Sequence, residues 1–345
     1  MRNPEFQRFL LRLACLLPLL GGLVAIDWAA MQQCVRRRFT GTLDEAAEEL
    51  VSGKTICSLI DVFDLKPVWI EHLHTHPDVV ILGASRVVQI PQEWFGQRKV
   101  LNAALPGGDL TDFVSIFEEC LETGKTPRTV LLELNPSLTF EGKDRVPPAL
   151  IPYFRRMARR YGIYSPLLFS RLFTLDAVRW DFQIWQQPPF WKVSRKPDPI
   201  PERVRPDGTM EWKLAEPGRS ADEVEQSAIF NMHHLQPQFQ HWRTSSKPRK
   251  FDRKILEAFL DDLHSRGIRV ITLLVPVHPA AYDFYVRQGG YDETWIRQEM
   301  ASRGITVIGS YCPSAAKATR DDFFDDVHVY PELLHRMLAE SGVVE

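Results

Sequence analysis

The sequence predicts an α/β domain built on a five-stranded parallel sheet. Short apolar runs rich in β-branched residues alternate along the chain with amphipathic helical stretches. These runs are continuously apolar, which is typical of strands that helices cover on both faces. With 345 residues, of which 44% are hydrophobic, the chain is long enough to form one large domain with its own core.

The elements are predicted from the apolar pattern in chain order. We predict strands at 79–82, 99–105, 129–134, 269–277 and 305–308. We predict helices at about 109–123, 251–265 and 331–340, and a helical region at 280–303. Asp109 is expected to cap the first helix, since a carboxylate before an amphipathic run accepts hydrogen bonds from the free N–H groups of the first turn.

The chain divides into three parts. Residues 1–31 are predicted to be a signal anchor or signal peptide, residues 32–78 form an amphipathic lead-in, and residues 79–345 form the α/β domain. Within that domain, about 140–250 is predicted to be a long insertion after the third strand, because prolines cluster there and no strand of the main sheet is evident.

The N-terminal segment is unlike the rest of the chain. The run from Leu13 to Ile26 carries no charge and follows Arg2, Arg8 and Arg12. A basic flank followed by an apolar run predicts a secretory signal or membrane anchor, and a buried hydrophobic helix is the alternative. We therefore expect a membrane-anchored protein whose domain lies in the periplasm or another extracytoplasmic space.

Charge and motif content exclude several classes of protein. The 42 basic and 44 acidic side chains give a formal charge of −2, which argues against nucleic acid as a partner. No glycine-rich nucleotide-binding loop is present, so no cofactor is expected. The sequence neither supports nor excludes a disulfide between Cys120 and Cys312.

Three histidines at alternating positions, His72, His74 and His76, would share one face of an extended segment and suggest a metal site. They precede the first strand, however, and so lie at the edge opposite the expected site. We therefore predict no metal ion.

Polar residues follow the predicted strands where a parallel sheet places its ligands, at the carboxyl ends. Ser85 and Arg86 follow the first strand, Gly107 follows the second, Asn135 the third and His278 the fourth. These five residues are therefore candidates for a common site.

A serine mechanism is the chemistry that these residues favour. Ser85 lies in a Gly-Ala-Ser turn after a buried strand, and Asp325 and His328 are three residues apart before the last helix. That spacing allows the carboxylate to bind one ring nitrogen while the other faces a serine. Alternatively, Ser85 caps a helix and 321–332 is a polar loop. His278 is the second candidate for the base.

Four sequence blocks resemble the SGNH (GDSL-type) hydrolase superfamily over about 79–138 and 251–341. They are Gly83-Ala84-Ser85, Asn102-Ala103-Ala104-Leu105-Pro106-Gly107, Leu132-Glu133-Leu134-Asn135 and Asp325-Asp326-Val327-His328. The resemblance implies a flavodoxin-like three-layer sandwich.

The resemblance also implies roles for the site residues. Ser85 would be the nucleophile, His328 its general base and Asp325 the orienting carboxylate. The N–H groups of Ser85 and Gly107 and the side-chain amide of Asn135 would form the oxyanion hole. Arg86 and His278 are expected to line the site because they follow predicted strands, and this expectation does not depend on the resemblance.

Two departures from the family pattern narrow the expectation. Ala84 and Pro136 replace aspartates that the family usually has. With its N-terminal segment and insertion, the chain resembles the branch that serves cell-envelope polysaccharides, including alginate acetylation proteins and the D-alanylation protein of lipoteichoic acid synthesis. The resemblance implies a serine esterase or acetyl-type O-acyltransferase for an envelope or exported polysaccharide, with a membrane-bound acyltransferase as a candidate partner. The alternative is an inactive SGNH-like module that binds glycan or docks on such a partner.

Two features of the insertion keep two interpretations each. The aromatic residues Trp180, Phe182, Trp185, Phe190 and Trp191 either pack in a core or lid or stack on sugar rings. The basic run from Arg155 to Arg160 is either a solvated helix face or a contact for an anionic glycan.

Overall fold

A computed structural model describes residues 42–58, 61–134, 147, 150–163, 202–211, 219–242, 250–287 and 291–344. The strands of this part of the chain are β1 (Ile56–Ser58), β2 (Val79–Leu82), β3 (Val100–Asn102), β4 (Thr129–Glu133), β5 (Glu202–Val204), β6 (Met210–Glu211), β7 (Arg269–Leu274) and β8 (Thr306–Gly309). The helices are α1 (Thr42–Val51), α2 (Val62–His72), α3 (Leu110–Glu122), α4 (Ile151–Arg160), α5 (Ala221–Trp242), α6 (Lys250–Ser265), α7 (Pro279–Arg287), α8 (Thr294–Ser302) and α9 (Pro331–Glu340).

The central sheet has five strands in the order β3-β2-β4-β7-β8, and every pair is parallel. Numbered along the chain, this order is 2-1-3-4-5, one of the two common orders of doubly wound sheets. β2 is buried at all four positions, as its continuously apolar sequence predicts. The parallel five-stranded sheet flanked by helices is thus confirmed.

Helices pack against one another and against the sheet through their apolar faces. α3 contacts α2, α4 and α6, and the rings of Phe117 and Phe259 meet edge to face between α3 and α6. α8 and α9 pack beside β8. As predicted, Asp109 caps α3: it accepts from the Asp112 N–H, and the Asp112 carboxylate accepts from the Asp109 N–H in return.

Two strands of the described part of the predicted insertion join a strand of the lead-in in a second, smaller sheet. β5 pairs antiparallel with β1 and with β6, and these three strands are separate from the main sheet. The turn between β5 and β6 lies against β3, since the Asn102 N–H donates to the Asp207 carbonyl at 2.7 Å. The insertion is therefore tied directly to the edge of the main sheet.

Three predicted elements differ from the structure. The predicted second strand, 99–105, is shorter and spans Val100–Asn102. The helical region at 280–303 consists of two helices, α7 and α8, and the sequence between them contains Gly289 and Gly290, which are poor helix formers. The predicted fourth strand, 269–277, ends earlier, at Leu274.

Candidate active site

A tight turn at the carboxyl end of β2 holds Ser85 at the edge of the sheet. Gly83 and Ala84 follow the strand, and Ser85 begins a single 3₁₀ turn that ends at Val87. The Val87 N–H donates to the Ala84 carbonyl at 3.3 Å. Ser85 is half-buried, so its hydroxyl lies at the border between the core and the surface.

Three side chains form a continuous hydrogen-bonded chain at this edge. The Asp325 Oδ2 atom lies 2.7 Å from His328 Nδ1, and His328 Nε2 lies 2.7 Å from Ser85 Oγ. Both distances are within ordinary hydrogen-bonding range. The sequence predicted that these three residues would meet, and the structure brings them together.

The hydrogen bonds from Ser85 through His328 to Asp325 have a defined direction of proton donation. When the Asp325 carboxylate accepts the proton on Nδ1, Nε2 retains a lone pair that faces the Ser85 hydroxyl. The second carboxylate oxygen of Asp325 accepts from the backbone N–H groups of Val327 and His328 at 2.8 and 2.7 Å. The Phe324 ring stacks parallel to the imidazole, with the centroids 5.5 Å apart.

Two neighbouring carboxylates in this loop have opposite pKa shifts. Burial acts to raise the pKa of Asp325, but the hydrogen bonds and charge of His328 outweigh it, and the pKa is lowered. Burial raises the pKa of Asp326, and the charge of Asp325 adds to that effect. Asp326 binds Asn231 of α5 at 3.4 Å rather than the histidine. Asp325 is therefore the carboxylate that orients His328.

The loop 103–109 after β3, here called the glycine loop, lies beside this serine. The Leu105 N–H donates to the Gly83 carbonyl at 2.8 Å, which joins the loop to the turn before Ser85. Gly107 has a φ of 65°, a left-handed conformation that favours glycine, and a Cβ built on it would meet no atom within 4 Å. The space beside Gly107 is therefore open. Asn135, the third predicted oxyanion donor, lies outside the described residues.

Asn102 joins the segment that follows Ser85 to the glycine loop on their buried side. Its side-chain amide nitrogen lies 2.9 to 3.2 Å from the carbonyls of Val87, Val88 and Ile90, and its Oδ1 accepts from the Ala104 N–H at 3.1 Å. The side chain is fully buried. The asparagine of the predicted block is therefore a structural tie between the two loops.

Lys66 supports the same loop from α2. Its Nζ donates to the carbonyls of Asn102 and Ala104 at 2.9 and 2.6 Å, and the residue is fully buried. Burial lowers the pKa of Lys66 to about 7, although the nearby charge of Asp207 acts to raise it. Sequence reasoning missed this residue, for which the signal was a lysine within the apolar run 62–70.

Arg86 does not line the site as predicted. It is buried, and its Nε and Nη2 atoms donate to Glu133 Oε1 at 2.9 and 2.5 Å. Its Nη1 donates to the Val275 carbonyl at 3.1 Å. Because every one of these partners is internal, Arg86 is a support for the turn below Ser85. Glu133, its partner, lies in the predicted block that ends at Asn135, but the sequence suggested no role for it.

His278 also differs from its predicted role. The residue is 1% exposed, its backbone N–H donates to the Asp326 carbonyl, and its ring meets the Phe323 ring edge to face. Burial lowers its pKa. His328 occupies the position next to Ser85, whereas His278 packs behind the loop of Asp325 and His328 and is not brought to the serine.

Several other predictions concern features away from this site. Cys120 and Cys312 are both free, so the suggested disulfide between them is wrong. Arg156 and Arg160 form ion pairs with carboxylates of α3, whereas Arg155 and Arg159 are exposed. The aromatic cluster at 180–191 lies outside the described residues.

The histidine-rich segment begins at the end of a helix. His72 is the last residue of α2, and its ring lies 2.8 Å from the Val68 carbonyl and 3.5 Å from Asp44. Within the described residues, no group of three or more His, Cys, Asp or Glu side chains is arranged to hold a metal ion.

The predicted signal or anchor at 1–31 lies outside the described residues. None of the helices in the part of the chain that the structure covers has both the length and the apolar character needed to span a bilayer. Comparison with models of known protein families and with curated proteins finds no match.

Proposed function

We propose that this protein is a serine esterase or O-acyltransferase of the SGNH (GDSL-type) kind that works through an acyl-enzyme. The observation that carries the proposal is the chain of hydrogen bonds from Asp325 through His328 to Ser85. The strand order 2-1-3-4-5, which flavodoxin-like sheets have, and the position of the three residues beyond the strand ends support it.

The geometry supports a two-step reaction. Ser85 Oγ attacks the carbonyl carbon of an ester while His328 Nε2 accepts the hydroxyl proton. The tetrahedral intermediate then expels the alcohol, which takes the proton back from His328, and an acyl-serine remains. Water or a sugar hydroxyl attacks the acyl-serine in the same manner, and Ser85 is regenerated. No metal or cofactor takes part in this scheme.

The negative oxygen of each intermediate needs hydrogen-bond donors. The proposed donors are the N–H groups of Ser85 and Gly107, together with the side-chain amide of Asn135. The bond from the Leu105 N–H to the Gly83 carbonyl supports this assignment, because it joins the loop that contains Gly107 to the turn before Ser85. Loss of one such donor typically lowers the rate about 10²–10³-fold.

The proposed substrate is an acetyl-type ester on a cell-envelope or exported polysaccharide. Two features of the sequence support it. The predicted anchor at 1–31 would place the domain outside the cytoplasm, and the chain, with this segment and its insertion, resembles the SGNH branch that serves cell-envelope polysaccharides. A membrane-bound acyltransferase is the proposed partner for transfer. Acetate release from acetylated alginate tests hydrolysis, and movement of labelled acetyl groups onto deacetylated alginate tests transfer.

A fluorophosphonate probe tests the mechanism directly. We expect the wild type to be labelled, and Ser85→Ala to lose labelling completely. Ser302→Ala, which removes an exposed hydroxyl bonded to the Glu299 carbonyl, should be labelled like the wild type. If the wild type is not labelled, or if Ser85→Ala is labelled equally, the serine mechanism is wrong and an inactive glycan-binding module becomes the better explanation.

A further inference from the structure

A carboxylate is buried directly beneath the turn Gly83–Val87, which carries Ser85. Glu133 is the last residue of β4 and is fully buried. Its Oε2 accepts from the Ala84 N–H at 2.6 Å, and its Oε1 accepts from the Arg86 guanidinium. Glu133 therefore binds the residue before Ser85 and the residue after it.

Stability alone does not explain this arrangement. Removing two charges from water is costly, and replacing a buried ion pair by apolar residues of similar volume is often neutral or stabilising. The structure also makes room for the carboxylate: a Cβ at residue 83 would lie 2.6 Å from both Cβ and Oε2 of Glu133. The glycine of the Gly-Ala-Ser turn is thus needed for the carboxylate to approach the backbone.

Three hydrogen bonds fix the two successive peptide planes that precede the Ser85 side chain. The peptide between Gly83 and Ala84 is held at both ends, by Leu105 on its carbonyl and by Glu133 on its N–H. The next peptide, between Ala84 and Ser85, is held by the Val87 N–H on its carbonyl. Because a trans peptide is planar, with N–H and C=O pointing in opposite directions, these bonds determine where the Ser85 N–H points.

Arg86 compensates the charge of this carboxylate. Its guanidinium is held between Glu133 and the Val275 carbonyl, 6.0 Å from the centre of the Tyr311 ring. An unpaired carboxylate at this position would oppose the negative charge that develops on a substrate oxygen above the turn. The pair therefore supplies an acceptor for the backbone without adding net charge below the site.

We propose that Glu133, neutralised by Arg86, is a positioning residue of the oxyanion hole, which directs the Ser85 N–H towards the substrate oxygen. This inference rests on the proposed serine mechanism and deepens it. Glu133 touches no substrate itself and acts through the backbone on either side of the nucleophile.

A comparison of two esters tests the role. A thiono ester replaces the carbonyl oxygen by sulfur, which is larger and a weaker hydrogen-bond acceptor, so an intact oxyanion hole favours the oxygen ester. For Glu133→Met we expect kcat/KM for the oxygen ester to fall about 10²–10³-fold, with the loss mainly in kcat. The thiono ester should lose much less, so the preference for oxygen should fall at least tenfold.

Two further variants separate positioning from folding. Glu133→Met/Arg86→Met removes both buried charges, so it should fold even if the single variant does not, and it should show the same loss of preference. Glu293→Met is the matched control, because Glu293 also accepts from a backbone N–H, that of Tyr311 beyond β8. It should keep the wild-type preference.

The outcomes distinguish this proposal from the proposed function. If the wild type shows no Ser85-dependent turnover of either ester, the serine mechanism fails, and the positioning role fails with it. If the wild type is active but the double variant keeps its preference for oxygen, or loses activity on both esters equally, the mechanism stands and the role of Glu133 is overturned.

Discussion

Gln89 donates a hydrogen bond from Nε2 to the Val329 carbonyl at 2.7 Å. Gln89 lies four residues after Ser85, and Val329 directly follows His328. The bond therefore joins the turn that carries Ser85 to the loop that carries His328, across 240 residues of sequence. Together with the bond between His328 and Ser85, it ties the two halves of the candidate site directly.

Gln89→Met should lower ester turnover while leaving the fold intact. Methionine keeps the length of the side chain but removes the donor, so the distance between Ser85 and His328 is less well defined. We expect kcat to fall about 10- to 100-fold. Gln298→Met, the same change at an exposed position of α8, is the control. Equal kcat values for the two variants would show that the tie does not position the base.

Asp325→Asn should reduce turnover about 10³–10⁴-fold, because an amide in this position no longer favours the proton on His328 Nδ1. Asp326→Asn is the matched control: the neighbouring carboxylate binds Asn231, so the change should be less than tenfold. The measurement is kcat for a soluble acetyl ester. A larger loss in Asp326→Asn than in Asp325→Asn would reverse the assignment of the two carboxylates.

Lys66 should make the folding stability depend on pH above neutrality. Burial lowers its pKa to about 7 in the folded protein, from 10.5 in the unfolded chain. Between these values the unfolded chain binds more protons, so this residue makes stability rise with increasing pH, and the rise is absent below pH 7 and complete above 10.5.

Urea unfolding at pH 7 and pH 9 measures this effect. From pH 7 to pH 9, the free energy of unfolding of the wild type should rise relative to that of Lys66→Met. Lys254→Met, at an exposed position of α6, should follow the wild type. If the free energies of unfolding of the wild type and of Lys66→Met change in parallel between the two pH values, the lowered pKa of Lys66 is wrong.

Asn102→Asp should destabilise the protein by about 2 kcal/mol or more at pH 7. The substitution keeps an acceptor for the Ala104 N–H but places a second oxygen against the carbonyls of Val87, Val88 and Ile90. Lowering the pH should restore part of the loss, because a protonated carboxyl can donate. Chemical denaturation at pH 7 and pH 5 checks this, and equal losses at the two values would count against it.

The sheet and the triad were predictable because the relevant signals are local or follow from topology. Val79–Leu82 is an apolar run long enough for one buried strand, and Asp109 lies where a helix cap is needed. Ser85 and His328 are 243 positions apart, yet both lie beyond the carboxyl ends of parallel strands, where such a sheet collects its ligands.

The supports beneath the site were not predictable from the sequence. Helix α2 was missed because Lys66 and Pro67 interrupt its apolar pattern, and an interior proline normally argues against a helix. Arg86 and Glu133 are 47 positions apart, and no periodicity links them. Their pairing depends on how β2 and β4 are aligned, and that register emerges only from the folded sheet.

The turn between β5 and β6 has a consequence for solubility. β3 is an edge strand, and unpaired edge strands recruit strands of other chains. Here its N–H groups are occupied: Val100 donates to the Gln92 side chain, and Asn102 donates to the Asp207 carbonyl. The insertion thereby covers part of this edge, and a chain shortened by removing 202–211 is expected to self-associate through β3.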